Sequence, residues 1–118
     1  MKRGRPGLPS SVAAAAALAL LMPLDALAES TTDSGRVVYE KWCAPCHDPG
    51  IDHPGTHALM AKYSGTKPAA LVERTDLPPD IVKHFVRHGI TIMPFFRKTE
   101  ISDAELDALA AYLSRNTK

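Results

Sequence analysis

The two cysteines of this 118-residue chain stand three positions apart, and a histidine follows the second: Cys43-Ala44-Pro45-Cys46-His47. No other cysteine exists to pair with either, so the fold has to be arranged around this pentapeptide. Three chemistries use such a pair: a dithiol that cycles with its disulfide, a zinc clamp, and thioether attachment of haem, for which C-x-x-C-H is the attachment sequence. The residues around the motif discriminate among them.

The N-terminus bears on the compartment. Lys2, Arg3 and Arg5 give a positive head, residues 12–22 are almost wholly apolar, and Ala26-Leu27-Ala28 puts small residues at the two positions a signal peptidase reads. That order is a secretory signal peptide. The apolar run is about half the roughly 20 residues needed to cross a bilayer, which weighs against a permanent span. Residues 1–28 are therefore read as a signal peptide cleaved after Ala28, and the protein as periplasmic, with no stable membrane insertion afterwards. Pro23 and Asp25 make the cleavage region imperfect, so an uncleaved anchor is the alternative. Free thiols do not persist in an oxidising compartment, so the pair should be bonded to something.

Cleavage leaves 90 residues, one domain of a size that often recruits a disulfide, metal or cofactor to complete its core. It also removes Lys2, Arg3, Arg5 and Asp25, leaving eleven basic against twelve acidic residues. So neutral a surface gives no electrostatic case for nucleic acid.

The pattern along the chain is helical. Residues 29–34 are polar and read as a flexible N-terminus before a domain at 35–118. Gly35, Val38, Tyr39, Trp42 and Cys43 recur at helical spacing, so a helix should deliver the cysteines. Residues 48–57 (DPGIDHPGTH) are turn chemistry, followed by a short apolar stretch from Ala58 to Tyr63. Pro68 opens a short helix to about Arg74, and Pro78-Pro79 opens another that Gly89 stops. Residues 89–99 form a loop containing Met93-Pro94. Ser102 and Glu105 make a capping box before the stripe Leu106, Leu109, Ala110, Leu113. No alternating strand appears, and the domain is all-α.

This context separates the three chemistries. Trp42-Cys43-Ala44-Pro45-Cys46 also matches the W-C-x-P-C motif of thioredoxin-like oxidoreductases, which is the alternative reading. That motif belongs at the end of a strand in a βαβ pattern, and neither the short stretch before Cys43 nor the helical remainder supplies a sheet. Zinc lacks the separated second pair of ligands that a closed tetrahedral site needs. Haem fits: two thiols at this spacing reach two vinyl groups, and His47 beside them coordinates the iron. Covalent haem also supplies core to a short chain.

A second axial ligand is expected at Met93, in a loop that Pro94 stiffens; a thioether is soft and favours ferrous iron. Most methionines are only apolar filling, and it is the neighbouring motif that raises Met93 above them. Met60 follows His47 too closely to reach the opposite haem face. His84 and His88 lie one helical turn apart, as a metal pair could, although histidines near a helix end are more often solvated. His53 and His57, in the turn-rich loop, are expected to be exposed. Trp42, Tyr39 and Phe85 are read as core packing.

From Gly35 onward the chain resembles the class I c-type cytochromes, small bacterial forms. The resemblance is carried by Gly35-x-x-x-Tyr39, C-x-x-C-H at 43–47, Pro54-Gly55, Gly89 to Met93-Pro94-Phe95-Phe96, and Leu109-x-x-Tyr112-Leu113. It implies about four short helices wrapped around one covalent haem c. It also implies that the first and last helices cross, with Gly35 and Tyr39 meeting Leu109 and Tyr112. In this family the Pro54 carbonyl would accept a hydrogen bond from the free ring nitrogen of His47; the loop between them is short for the family. More narrowly, the short length, the M-P-x-F segment and the final helix look like the cytochrome subunits of p-cresol methylhydroxylase-type flavoenzymes.

What the resemblance implies is an electron carrier rather than an enzyme. The donor would be a periplasmic dehydrogenase, flavoprotein or quinoprotein, and the acceptor an oxidase or another cytochrome. Arg97 and Lys98, near the exposed haem edge, are candidates for a docking patch, against the ordinary reading of both as solvated charges.

Overall fold

The computed structural model describes residues 24–118, with side chains from Ser30 onward. The charged head and apolar run of the expected signal segment lie outside the described residues. Five α-helices follow in order: α1 Leu24–Trp42, α2 Ala44–His47, α3 Pro54–Tyr63, α4 Pro79–His88 and α5 Asp103–Ser114. A 3-10 turn at Leu71–Glu73 sits between α3 and α4. Among the described residues the extended pairing is confined to one bridge, Ile90 with Met93, so the all-α class read from the sequence holds.

The first and last helices cross at Gly35. A Cβ there would stand 2.0 Å from the Ala108 carbonyl oxygen and 2.8 Å from the Tyr112 Cβ, so only hydrogen fits. One turn on, the Tyr39 and Tyr112 rings meet with centroids 5.6 Å apart. Val38, Tyr39 and Cys43 then pack with Leu106, Leu109 and Leu113 of α5 and with Val82 and Val86 of α4. Leu109 and Ile101 are fully buried. The core therefore grips the C-terminal end of α1, from which the cysteine motif emerges.

Three boundaries differ from the sequence reading. Residues 29–34, expected to be loose, are helical within α1. Local pairs stabilise them where apolar periodicity is weak: Arg36 bridges Asp33 at 3.9 Å and Glu40 at 2.9 Å, and the Ser34 hydroxyl donates to the Ser30 carbonyl. The turn-rich stretch ends early, because Pro54 opens α3 at a position where its missing N–H costs nothing. The expected helix from Pro68 to Arg74 shrinks to the 3-10 turn, and its last residue turns inward.

Arg74 is buried although charged. It donates through Nε and Nη2 to Asp76 and through Nη1 to the Tyr63 hydroxyl at 2.9 Å, while Lys67 donates to the same carboxylate at 2.8 Å. The guanidinium also lies over the Tyr63 ring at 4.8 Å. This cluster ties the segment between α3 and α4 to the end of α3. The hydrogen bonds from Arg74 and then Lys67 hold the Asp76 carboxyl far below the usual carboxylate range.

The last two helices carry the end signals read from the sequence. Gly89 ends α4 with φ +67°, and a Cβ there would lie 2.6 Å from the Met93 carbonyl oxygen. Ser102 and Glu105 form a reciprocal capping box at the start of α5.

Two outcomes follow. Gly35→Ala should destabilise the fold by about 3 kcal/mol, the upper range for overpacking, because the obstacle is backbone; thermal melting of the purified protein reads it. Asp76, favoured as carboxylate in the fold, contributes stability above the ordinary aspartate range and loses it as pH falls through its depressed folded value. Asp76→Asn should therefore lower neutral-pH stability by about 1 kcal/mol, a surface-pair magnitude for this half-exposed group, and flatten the acid limb of a stability-versus-pH curve.

Candidate functional site

The site is built on the last turn of α1. The Cys43 amide donates to the Tyr39 carbonyl at 2.8 Å, and the Cys46 and His47 amides both donate to the Cys43 carbonyl, at 3.0 and 2.9 Å. One helical turn thus holds both sulfurs and the imidazole in fixed order. Cys43 is buried, Cys46 is exposed, and neither is in a disulfide. Burial, with a smaller contribution from Cys46, pushes the Cys43 thiol up to about 12. A dithiol nucleophile requires the opposite shift.

Burial lowers the His47 pKa, which favours the neutral imidazole, the form that offers a lone pair to a metal. Its Nδ1 is buried and has no hydrogen-bond partner. Such orphaned atoms are rare in ordinary packing. The first turn of α3 closes over this edge of the ring: a Cβ on Gly55 would lie 2.9 Å from Nδ1 and 2.7 Å from Cε1. The bond from Nδ1 to the Pro54 carbonyl, implied by the family resemblance, is not made. Pro54 is the first residue of α3, and Gly55 packs against the ring.

Two further residues fix the backbone just after His47. The Tyr39 hydroxyl donates to Asp48 Oδ1 at 2.9 Å, and the buried Thr56 hydroxyl donates to the Asp48 carbonyl at 2.9 Å. Burial and the Asp48 carboxylate drive the Tyr39 phenol well above its ordinary range, so it acts only as a donor. His53, expected to be exposed, is instead half-buried with Nδ1 3.2 Å from the Pro45 carbonyl; His57 is exposed. Gly55, Thr56 and the Tyr39–Asp48 contact were missed from the sequence. Only the Pro-Gly pair in a turn-rich stretch hinted at them.

Met93 is delivered by the loop after α4. Its amide donates to the Ile90 carbonyl at 2.9 Å and its carbonyl accepts from the Ile90 amide at 3.1 Å, a tight reversal with Thr91 at φ +50°. The loop is pinned back to α4 by the Phe96 amide on the Val86 carbonyl at 2.8 Å. Arg87 completes the attachment, donating to the carbonyls of Phe96 and Ile101 and to Asp103. The Trp42 ring meets Phe96 edge-on at 5.7 Å, linking the end of α1 to the Met93 loop. Met93 is half-buried, whereas Met60 is exposed on α3. His84 and His88 are exposed on α4, and Phe85 is half-buried between them. Lys98 is exposed but ion-paired with Asp103 at 2.7 Å, and Arg97 lies 6.0 Å from the Phe95 ring.

The residues fit covalent haem. Two sulfurs on one turn and a neutral imidazole beside them are the donor set the group uses. Among the described residues no three His, Cys, Asp or Glu side chains converge on a bare ion, so iron held here needs the porphyrin's own nitrogens.

Comparison with known proteins agrees with this geometry. Residues 30–113 match the family model described as cytochrome C oxidase, cbb3-type, subunit III. The chain belongs to this family of c-type cytochromes. It is 33% identical over 89 residues to the 4-cresol dehydrogenase [hydroxylating] cytochrome c subunit of Pseudomonas putida, a match covering 75% of this chain and 66% of that subunit. No solved structure matches. The chain is thus a c-type cytochrome with the class I fold, in a family whose cofactor is haem c. No helix among its described residues is long and apolar enough to cross a membrane.

Thr56→Val keeps the shape of the side chain but leaves the Asp48 carbonyl without its donor. The substitution should cost about 1–3 kcal/mol, measurable by denaturant unfolding, with the haem still attached.

Proposed function

We propose that this chain is an exported mono-haem electron carrier, with haem bound through thioethers to Cys43 and Cys46 and its iron held by His47 and Met93. The observation that carries the reading is the cysteine–histidine turn: a buried sulfur, an exposed sulfur and a neutral imidazole, all on one helical turn. The signal segment 1–28 would be removed after Ala28, and the mature domain would work in the periplasm.

Haem bound there supplies a one-electron couple. The chain's own residues supply rigidity. Tyr39 and Thr56 clamp Asp48, Gly55 backs the His47 ring, and Arg87 fastens the loop of Met93 between α4 and α5. With both ligand-bearing segments fastened, little rearrangement accompanies a change of charge, which suits transfer between transient partners. The loops that follow His47 and flank Met93 expose Ile51, Ile90, Ile92 and Phe95, an apolar surface suited to brief docking.

The relative in Pseudomonas putida is named as a subunit of 4-cresol dehydrogenase. By that likeness the donor is a dehydrogenase acting on a phenolic compound; we further take it to be a periplasmic flavoprotein or quinoprotein, and the acceptor an oxidase or another cytochrome. The thioredoxin-like alternative loses support from the upward shift of Cys43, since that chemistry needs a thiolate on the first cysteine.

The absorption spectrum of the reduced protein tests the reading. Sharp α and β bands that survive acid–acetone extraction are expected, because thioethers resist it. A colourless protein whose two thiols label after reduction would overturn the proposal. Met93→Ala should abolish the sulfur-to-iron charge-transfer band of the oxidised form and lower the reduction potential while leaving the haem covalently attached. An unchanged spectrum would remove Met93 as ligand.

A further inference from the structure

The electron-carrier reading leaves the two exposed histidines of α4 without a role. His84 and His88 are four residues apart, so one turn of helix puts both on the same strip of surface. Their rings are stacked, with centroids 4.4 Å apart and planes inclined by 23°. The His84 ring is also braced edge-on by Phe85 at 5.5 Å. His88 Nδ1 lies 2.8 Å from the His84 carbonyl, a geometry in which Nδ1–H donates and the lone pair is left on Nε2. That arrangement, one ring nitrogen fixed by a carbonyl and the other free, is how histidines are oriented for metals.

We propose that His84 and His88 form a surface chelate for a divalent transition-metal ion, separate from the haem iron, taking Cu2+ in preference to Zn2+. Two imidazoles suit both ions, and the general order of affinity places Cu2+ above Zn2+. No third His, Cys, Asp or Glu side chain joins the pair among the described residues, so the remaining positions go to water or an outside ligand. The stacked rings are near-parallel and have to splay by side-chain rotation to aim both at one ion, so the strength of the site comes from the spacing that the helix sets and not from the rings as they stand. Both donors are already held on one turn of a helix bounded by Pro79 and Gly89, so the second imidazole binds at high effective concentration.

The test is calorimetric titration of Cu2+, and separately Zn2+, into tag-free oxidised holoprotein in a non-coordinating buffer. The oxidised form is used so that the haem does not reduce the copper. One Cu2+ per chain is expected, with Zn2+ weaker and the haem spectrum unchanged throughout. His84→Ala and His88→Ala should each weaken Cu2+ binding on the order of 100-fold, the loss of a bivalent advantage. Both sites are exposed, so both variants should fold, which an unaltered haem spectrum checks. His57→Ala should bind as the parent does. Absence of stoichiometric Cu2+ binding, equal affinity in the His84 and His88 variants, or a haem spectrum that changes with copper would each overturn the proposal. A colourless protein would defeat the haem reading; its free Cys43 and Cys46 would then be alkylated before titration, so that the His84 and His88 variants still decide this proposal.

Discussion

The contact of Gly35 with the Ala108 carbonyl sets how closely α1 and α5 can approach, and the rest of the domain is arranged by that distance. Helices separated by a side chain at this point would lift Tyr39 off Tyr112 and draw Cys43 out of the core it shares with Leu106, Leu109 and Leu113. Close packing makes this an all-or-none matter, because dense interiors do not absorb a methyl group by small adjustments everywhere. The crossing lies two turns before the cysteine motif, so the helix that makes the main structural contact of the fold leads directly into its chemistry.

From that helix the site is assembled by short reaches rather than by long-range design. Asp48 is held by a residue before the motif, Tyr39, and one after it, Thr56. Arg87 does the equivalent for the Met93 loop by joining α4, the loop and the start of α5. Trp42 and Phe96 connect the two halves. The interactions that position the chemistry are therefore mostly buried or half-buried, where hydrogen bonds and ring contacts are worth most. The exposed pairs, such as Lys98 with Asp103, contribute little to it.

The Arg74 cluster answers a different problem. The stretch between α3 and α4 has no long helix to organise it, and a small domain cannot spend much apolar surface there. A buried guanidinium shared by Asp76 and Tyr63 gives that stretch a fixed path at the cost of dehydrating a charge. The same substitution of polar contacts for regular structure shows in the Ser114 and Thr117 hydroxyls, both of which donate to the Leu77 carbonyl.

Much was legible in the sequence because it is local. The Cys-x-x-Cys-His spacing, the capping box of Ser102 and Glu105, the Pro-led start of α4 and its Gly89 stop are each written within a few residues, and the structure reproduces every one of them as local geometry. The crossing of Gly35 with α5 was legible only through family resemblance, since neither helix alone states its partner. Tertiary structure alone decided the rest. That Gly55 packs against the His47 ring and that Thr56 is buried depend on where α3 starts relative to α2, and that Arg74 points inward depends on Tyr63 and Asp76, all matters of through-space fit. Residues 29–34 continue α1 with local polar contacts, Asp33 with Arg36 and Ser34 with the Ser30 carbonyl, which carry no periodic apolar signal. Spacing along a chain fixes what one turn can hold, but which side chain closes over that turn is settled only when distant segments compete for the same space.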